Sequence, residues 1–123
     1  MPTILLVDDE DTVRRALRKM LERGGLAVTE AASAAEALAL VDNGPKVDAV
    51  VSDVIMPEMS GLLFYDQLIA RSPALSGRVI FLTGAARDPA IHKPIEQRGV
   101  PLLSKVDDLM LVVDAVRVAL LRK

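Results

Sequence analysis

The chain has 123 residues, about half of them hydrophobic, and a formal net charge of −2 at pH 7. This length suits one domain with a single proper core, and the slight negative charge argues against general binding to nucleic acid or anionic membranes. The sequence contains no cysteine, no signal-peptide pattern and no apolar run of membrane-spanning length, which argues against disulfides, secretion and membrane insertion. We therefore expect residues 1–123 to form a single soluble, cytoplasmic domain.

Short apolar runs alternate with amphipathic stretches along the whole chain. The runs predict five strands, at residues 4–7, 26–30, 47–53, 78–82 and 100–103. The stretches between and after them predict five helices, which begin near Asp11, Ser33, Ser60, Asp88 and Asp107. Five strands that alternate with five helices predict a parallel sheet covered on both faces and joined by right-handed crossovers.

Local signals mark where several helices begin and end. Ser33 and Glu36 have the spacing of a capping box, in which each side chain can accept a hydrogen bond from a backbone N–H at the helix start. Asp88 followed by proline predicts another helix start, and Gly99 predicts the end of that helix. Pro94 lies inside the same segment, so we expect this fourth helix to be kinked or short.

The first helix carries a basic face opposite its apolar stripe, formed by Arg14, Arg15, Arg18, Lys19 and Arg23. We interpret it as a solvated face whose charges are partly paired with Asp11 and Glu22. A docking patch for a partner protein is the alternative.

Acidic and polar side chains follow four of the predicted strands, at the edge where open α/β sheets place their ligands. Asp8 and Asp9 follow the first strand, Asp53 ends the third, and Thr83 and Lys105 follow the fourth and fifth. Clustered carboxylates repel one another unless a cation lies among them, and an all-oxygen site with few protein ligands suits Mg²⁺. The hydroxyl and the ammonium suit phosphate oxygens. The set predicts phosphoryl transfer to an aspartate.

Four segments together resemble the response-regulator receiver domain of two-component, or phosphorelay, signalling. They are Leu-Val-Asp-Asp-Glu at 6–10, Ser-Asp-Val-Ile-Met-Pro-Glu-Met-Ser-Gly at 52–61, Phe-Leu-Thr-Gly at 81–84 and Pro-Leu-Leu-Ser-Lys at 101–105. The resemblance spans nearly the whole chain. It implies an α/β, flavodoxin-like (βα)5 fold, a doubly wound five-stranded parallel sheet in the order 2-1-3-4-5.

The resemblance also implies a role for each site residue. Asp53 would accept a phosphoryl group from a histidine kinase or a histidine phosphotransfer protein, and Thr83 and Lys105 would bind its oxygens. The ligands of Mg²⁺ would be Asp8, Asp9, Asp53 and the backbone carbonyl of Ile55. Such a domain is a phosphoprotein and not an enzyme, apart from slow self-dephosphorylation. It would signal to a downstream protein or fused domain, with a phosphorylation-linked dimer as one form of output, and without direct contact with nucleic acid or a membrane.

The sequence departs from the family pattern near the site. Leu102 stands where the family usually has a Tyr or Phe that swings inward as part of the switch, and Val106 stands where it has a proline after the lysine. Leu102 and Pro94 affect the segments that usually form the switch. Val106 affects the loop that sets how far Lys105 reaches. Ile55 and Ala85 lie two residues after the aspartate and the threonine, and neither side chain can orient an attacking water. Slow loss of the phosphoryl group follows.

Two other readings remain open. A degenerate receiver would act only as a protein-interaction module and would not bind Mg²⁺. A phosphatase of the haloacid-dehalogenase type also uses an aspartate nucleophile, but it places a second acidic residue two positions later, whereas Asp53 is followed by Val-Ile. A true flavodoxin is disfavoured by the scarcity of aromatic residues. His92, the only histidine, is interpreted as a surface residue rather than a phosphoryl relay.

Overall fold

The computed structural model describes residues 1–84, 88–105 and 109–122. Five strands lie in them: β1 (Thr3–Val7), β2 (Ala27–Ala31), β3 (Ala49–Asp53), β4 (Val79–Thr83) and β5 (Leu102–Ser104). They alternate with five helices: α1 (Asp11–Arg23), α2 (Ala34–Asn43), α3 (Gly61–Arg71), α4 (Pro89–Gln97) and α5 (Met110–Leu120), and a 3₁₀ turn at Pro73–Leu75 precedes β4. All strand pairs are parallel, in the order β2-β1-β3-β4-β5. The predicted fold and strand order are confirmed.

Four strands, β2 to β5, begin one or two residues later than the sequence predicts, and β3 begins at Ala49 rather than at 47. Strand β4 begins at Val79 because the N–H of Arg78 donates to the carbonyl of Leu75 in the preceding turn. Strand β5 begins at Leu102, since Pro101 has no N–H to donate and the N–H of Val100 closes the end of α4 on Ile95. Strand β2 likewise begins one residue later than expected. These boundaries were wrong, although each strand exists.

The hydrophobic core has two layers, one on each face of the sheet. Helices α2, α3 and α4 pack on one face, with Phe64, Leu68 and Ile95 buried there. Helices α1 and α5 pack on the other, with Leu17 and Val113 among the buried residues. All residues of β3 and β4 are buried, as expected for central strands of a doubly wound sheet. None of the described helices is both long and apolar enough to cross a lipid bilayer.

Most of the predicted helix signals have the expected structure. The Ser33 hydroxyl accepts a hydrogen bond from the N–H of Glu36 at 3.1 Å, while the Glu36 carboxylate reaches the N–H of Ala32 rather than that of Ser33. Asp88 caps α4, and Gly99 lies just beyond that helix with φ of 70°. Helix α4 is one short helix of nine residues that includes Pro94. The predicted cap at Asp107 lies outside the described residues.

Candidate functional site

The carboxyl ends of β1 and β3 bring acidic side chains together. In the parallel register Val7 is paired with Ser52, so the next residues, Asp8 and Asp53, lie side by side at the sheet edge. Both are almost fully buried, at 1% and 5% exposure. One carboxylate oxygen from each of four residues lies within 4.8 Å of the others, the four being Asp8, Asp9, Glu10 and Asp53. We call these four residues the acidic cluster.

Glu10 is the member of the acidic cluster that sequence reasoning missed. It directly follows Asp8 and Asp9 in the short connection between β1 and α1, and that position was the available signal. Its N–H donates to Asp8 Oδ1 at 2.8 Å, which folds the connection back on the end of the strand. Its own carboxylate is largely exposed.

The ammonium of Lys105 lies among these carboxylates. Its Nζ is 2.8 Å from Asp53 Oδ2, 3.0 Å from Asp8 Oδ2 and 3.2 Å from Glu10 Oε1. The lysine side chain is only 13% exposed, and its backbone N–H donates to the carbonyl of Thr83 at 3.0 Å. Lys105 therefore reaches the site from the end of β5. Val106, the departure that put this reach in question, lies outside the described residues.

The oxygens of the two buried aspartates are satisfied unequally. Asp53 Oδ1 accepts a hydrogen bond from the N–H of Ile55 at 3.1 Å, and its Oδ2 accepts one from Lys105. Asp8 Oδ2 is buried and has no hydrogen-bond partner among the described residues. The nearby ammonium compensates its charge, but lies outside hydrogen-bonding geometry. This oxygen retains its capacity to bind a further ligand.

Burial and the neighbouring charges shift the ionisation of the central pair. Burial raises the pKa of Asp53, and the Asp8 charge adds to that effect, whereas the Lys105 ammonium and the Ile55 N–H oppose it. Burial alone would lower the pKa of Lys105, but the hydrogen bond to Asp53 and the negative charges of Asp53 and Asp8 outweigh it and raise that pKa. The lysine therefore stays charged at neutral pH, as a built-in counter-ion to the aspartates.

The other residues singled out in the sequence surround this centre. Thr83 is fully buried at the end of β4 and is paired with Ser104 in the sheet register. Leu102 is half-buried and packs against the core layer of α2, α3 and α4. The Ile55 side chain is 57% exposed beside the cluster. His92 pairs with Glu96 on its own helix.

The donor set fits a hard divalent cation. Every ligand atom in the acidic cluster is a carboxylate oxygen, and Mg²⁺ prefers oxygen ligands while keeping several waters. Asp8 Oδ2, which is buried and accepts no hydrogen bond from the described residues, is a ready ligand in such a site. The cluster can therefore hold a metal ion. Such an ion would compete with the Lys105 ammonium for the same carboxylate oxygens.

The fold and this edge of the sheet define a class of protein: doubly wound, flavodoxin-like α/β domains with an acidic cluster and a lysine at the carboxyl ends of the strands. Residues 4–117 match the family model of the response regulator receiver domain. The chain belongs to that family, which serves two-component signalling, and in which a phosphorylated aspartate and Mg²⁺ are standard.

Similar proteins of known kind agree with this membership. The chain is 37% identical, over 94% of its length, to the transcriptional regulatory protein FixJ of Azorhizobium caulinodans, of which it covers 53%. It is 45% identical, over 70% of its length, to the sensor kinase CckA of Brucella abortus, of which it covers 9%. A receiver-domain structure from Clostridium thermocellum has a TM-score of 0.82 at 28% identity, covering 98% of this chain and 94% of that one. The chain spans about half or less of the length of these curated relatives.

Proposed function

We propose that this chain is a phosphoacceptor receiver domain in which Asp53 takes a phosphoryl group from the phosphohistidine of a histidine kinase or histidine phosphotransfer protein. The observation that carries this proposal is the contact of the buried Asp53 Oδ2 with the Lys105 ammonium, at 2.8 Å, inside the acidic cluster. A carboxylate at a sheet edge is common, but a buried carboxylate with an adjacent acidic pair and a cation suits an attacking nucleophile. The same arrangement argues against a purely structural role for the aspartate.

The transfer needs little from the protein beyond position and charge. An oxygen of Asp53 attacks the phosphorus, the phosphorus–nitrogen bond of the donor breaks, and the imidazole leaves with the electron pair and takes up a proton. Mg²⁺, when bound, neutralises charge on the phosphoryl oxygens. In our proposal its ligands are Asp8, Asp9, Asp53 and the backbone carbonyl of Ile55. Lys105 supplies the second positive charge, and Thr83 a hydroxyl for a phosphoryl oxygen.

The remainder of the proposal concerns output. Phosphorylation would change a protein-interaction surface, read by a downstream protein or fused domain in the cytoplasm, with dimerisation as one form of readout. Leu102 occupies the switch position without the ring or hydroxyl of an aromatic residue, so its change of rotamer would be a smaller movement. Ile55 offers the phosphoryl group no polar side chain to orient water, which favours a long-lived phosphorylated state. Ala85 lies outside the described residues.

Intact-mass spectrometry after incubation with acetyl phosphate tests the proposal directly. We expect one phosphoryl adduct on the wild-type chain with Mg²⁺, and none without Mg²⁺ or in Asp53→Asn. Asp42→Asn is the matched control, because Asp42 is a surface residue of α2 paired with Arg71, and this variant should take up the adduct normally. No adduct, together with no Mg²⁺ binding, would instead support a degenerate receiver that acts only as an interaction module.

A further inference from the structure

One arginine of α1 connects the acidic cluster to β2, the outer strand of the sheet on that side. Arg14, on α1, uses each of its three guanidinium nitrogens for a different partner. Nη1 donates to the carbonyl of Asp8 at 2.6 Å, Nη2 to Asp11 Oδ1 at 2.6 Å and Nε to Glu30 Oε1 at 3.1 Å. The side chain is 14% exposed, although the sequence placed it on a solvated face. Its planar fork therefore lies in a defined position between α1, β2 and the cluster.

The neighbouring arginine on the same face differs in one respect. Arg18 also pairs with Glu30, through Nη1 and Oε2 at 2.5 Å, and with Glu22 at 3.3 Å. Its side chain is 42% exposed. The predicted pairing of this face with Asp11 and Glu22 is confirmed, and Glu30 of β2 is an additional shared partner. The described hydrogen bonds connect Arg14, and not Arg18, to the cluster.

The carbonyl that Arg14 holds belongs to the peptide group between Asp8 and Asp9. The orientation of this peptide plane decides how the two carboxylates are directed relative to each other. The N–H of Asp8 is held separately by the carbonyl of Ala31, at 3.2 Å. A charged donor on a carbonyl makes a stronger hydrogen bond than a neutral one, so the Arg14 contact restrains this plane effectively.

We propose that Arg14 is a positioning residue of the acidic cluster: it orients the Asp8–Asp9 peptide so that both carboxylates can bind one Mg²⁺. The proposal rests on the proposed function, because it assumes that the cluster is the Mg²⁺ site. Arg14 itself touches neither the metal nor the phosphoryl group. Groups that orient metal ligands in this indirect way affect metal affinity by about 10- to 100-fold in other proteins.

Charge and position make opposite predictions for the loss of Arg14. If the arginine acted only through its charge, its removal would make the cluster more attractive to a cation and tighten Mg²⁺ binding. If it acts by holding the peptide, its removal weakens Mg²⁺ binding in spite of that gain. The sign of the change therefore distinguishes the two roles.

Isothermal titration of the chain with MgCl₂, without any phosphoryl donor, measures this sign. We expect Arg14→Ala to weaken Mg²⁺ binding about tenfold, in the range known for residues that orient metal ligands. Arg14→Lys keeps the charge but not the three-way fork, so we expect a loss of the same sign. Arg18→Ala removes the same charge and the same Glu30 partner, and we expect its Kd to stay within about twofold of wild type.

Circular dichroism and metal-free thermal unfolding establish that each variant is folded at the titration temperature. Should Arg14→Ala fail to fold, Arg14→Lys carries the test against Arg18→Ala. Unchanged or tighter Mg²⁺ binding in the folded Arg14 variants would overturn the positioning role while leaving the proposed function intact. Absence of Mg²⁺ binding by the wild-type chain would overturn the proposed function and the positioning role with it.

Discussion

At the scale of single residues, the acidic cluster is built at the expense of stability. Asp8 and Asp53 are carboxylates taken almost completely out of water, and desolvation of such groups costs several kcal/mol each even when a partner is present. Lys105 offsets part of that cost by lying within 3.2 Å of three carboxylate groups. A cluster that costs stability in this way fits the proposed binding of Mg²⁺ and a phosphoryl group better than a contribution to folding.

The first prediction concerns this lysine. Lys105→Ala removes a cation that lies 2.8 Å and 3.0 Å from the proposed Mg²⁺ ligands Asp53 and Asp8. We expect Mg²⁺ to bind on the order of three- to tenfold more tightly, since a competing charge is lost at short range. We also expect uptake of phosphoryl from acetyl phosphate to fall, because the charge that we propose to bind the phosphoryl oxygens is missing. Titration with Mg²⁺ and intact mass measure the two effects.

Lys46→Ala is the control for that variant, because Lys46 is exposed in the connection between α2 and β3. It should leave both Mg²⁺ affinity and phosphoryl uptake unchanged. Normal uptake and unchanged Mg²⁺ affinity in Lys105→Ala would refute the role given to this residue.

The second prediction concerns the buried aspartate in the absence of metal. Burial raises the pKa of Asp53 in the folded chain above its ordinary value of 3.8, so folding favours the protonated form. The contribution of protonated Asp53 to the free energy of unfolding is fully present below pH 3.8 and is lost as the pH rises through the raised pKa. Asp53→Asn is uncharged at position 53 at every pH, and in this variant Lys105 keeps its ion pairs with Asp8 and Glu10. We expect this variant to be more stable than wild type at neutral pH.

Urea unfolding in EDTA from pH 3 to pH 7 measures the difference in the free energy of unfolding. The excess in the free energy of unfolding of Asp53→Asn over wild type should grow as the pH rises above the ordinary aspartate pKa of 3.8. It should level off above the raised pKa of Asp53. An advantage that shrinks with rising pH would contradict the raised pKa.

At the scale of the elements, the connection from β3 to α3 depends on one close approach. Gly61 begins α3, and its N–H donates to the carbonyl of Val54 at 2.8 Å. A Cβ at this position would lie 2.8 Å from the Val54 Cα and 2.9 Å from its carbonyl oxygen. Both are backbone atoms that cannot move aside by a change of rotamer. Position 61 therefore has no room for a side chain beside Val54, which directly follows Asp53 of the acidic cluster.

We predict that Gly61→Ala lowers the free energy of unfolding by about 1–3 kcal/mol, the usual cost of added atoms in a packed region. Urea unfolding checks the value. Gly84→Ala is the matched control, because a Cβ there meets nothing within 4 Å, and its effect should stay within about 0.5 kcal/mol. Equal effects of the two substitutions would show that the close approach to Val54 is unimportant.

At the scale of the whole molecule, one sheet supports two core layers. Leu17 lies in the layer of α1 and α5, and Leu68 in the layer of α2, α3 and α4, and both are buried. The central strands contribute to both layers, with Val50 facing one and Val51 the other. Loss of packing on either face therefore weakens the same strands, as expected if the 123 residues unfold as one domain.

We predict that Leu17→Ala and Leu68→Ala each cost about 2–5 kcal/mol and each keep a single unfolding transition. Circular dichroism follows the helices. Fluorescence of Tyr65, whose ring centre lies 6.2 Å from that of Phe81, follows the α3 face of the sheet. The two probes should give one midpoint even for Leu17→Ala, on the opposite face. Leu63→Ala, at a side chain 48% exposed, is the control with little expected effect. Separate midpoints would contradict a single cooperative domain.

The sequence by itself determined the five strands, the five helices and the edge at which Asp8, Asp9, Asp53, Thr83 and Lys105 lie. These features depend on local periodicity, on caps and on the end of each apolar run, all of which are read within a few residues. The strand order came from resemblance to a family, because periodicity alone does not say which strands are neighbours.

The tertiary structure alone decided which charges meet. Lys105 contacts Glu10 across 95 positions of sequence, and Arg14 meets Glu30 across 16. Such partners depend on which strands pair and in what register, and on how each long side chain lies against its neighbours. For that reason Arg14 looked like one more solvated cation in the sequence, whereas in the folded chain it holds the peptide of the acidic pair.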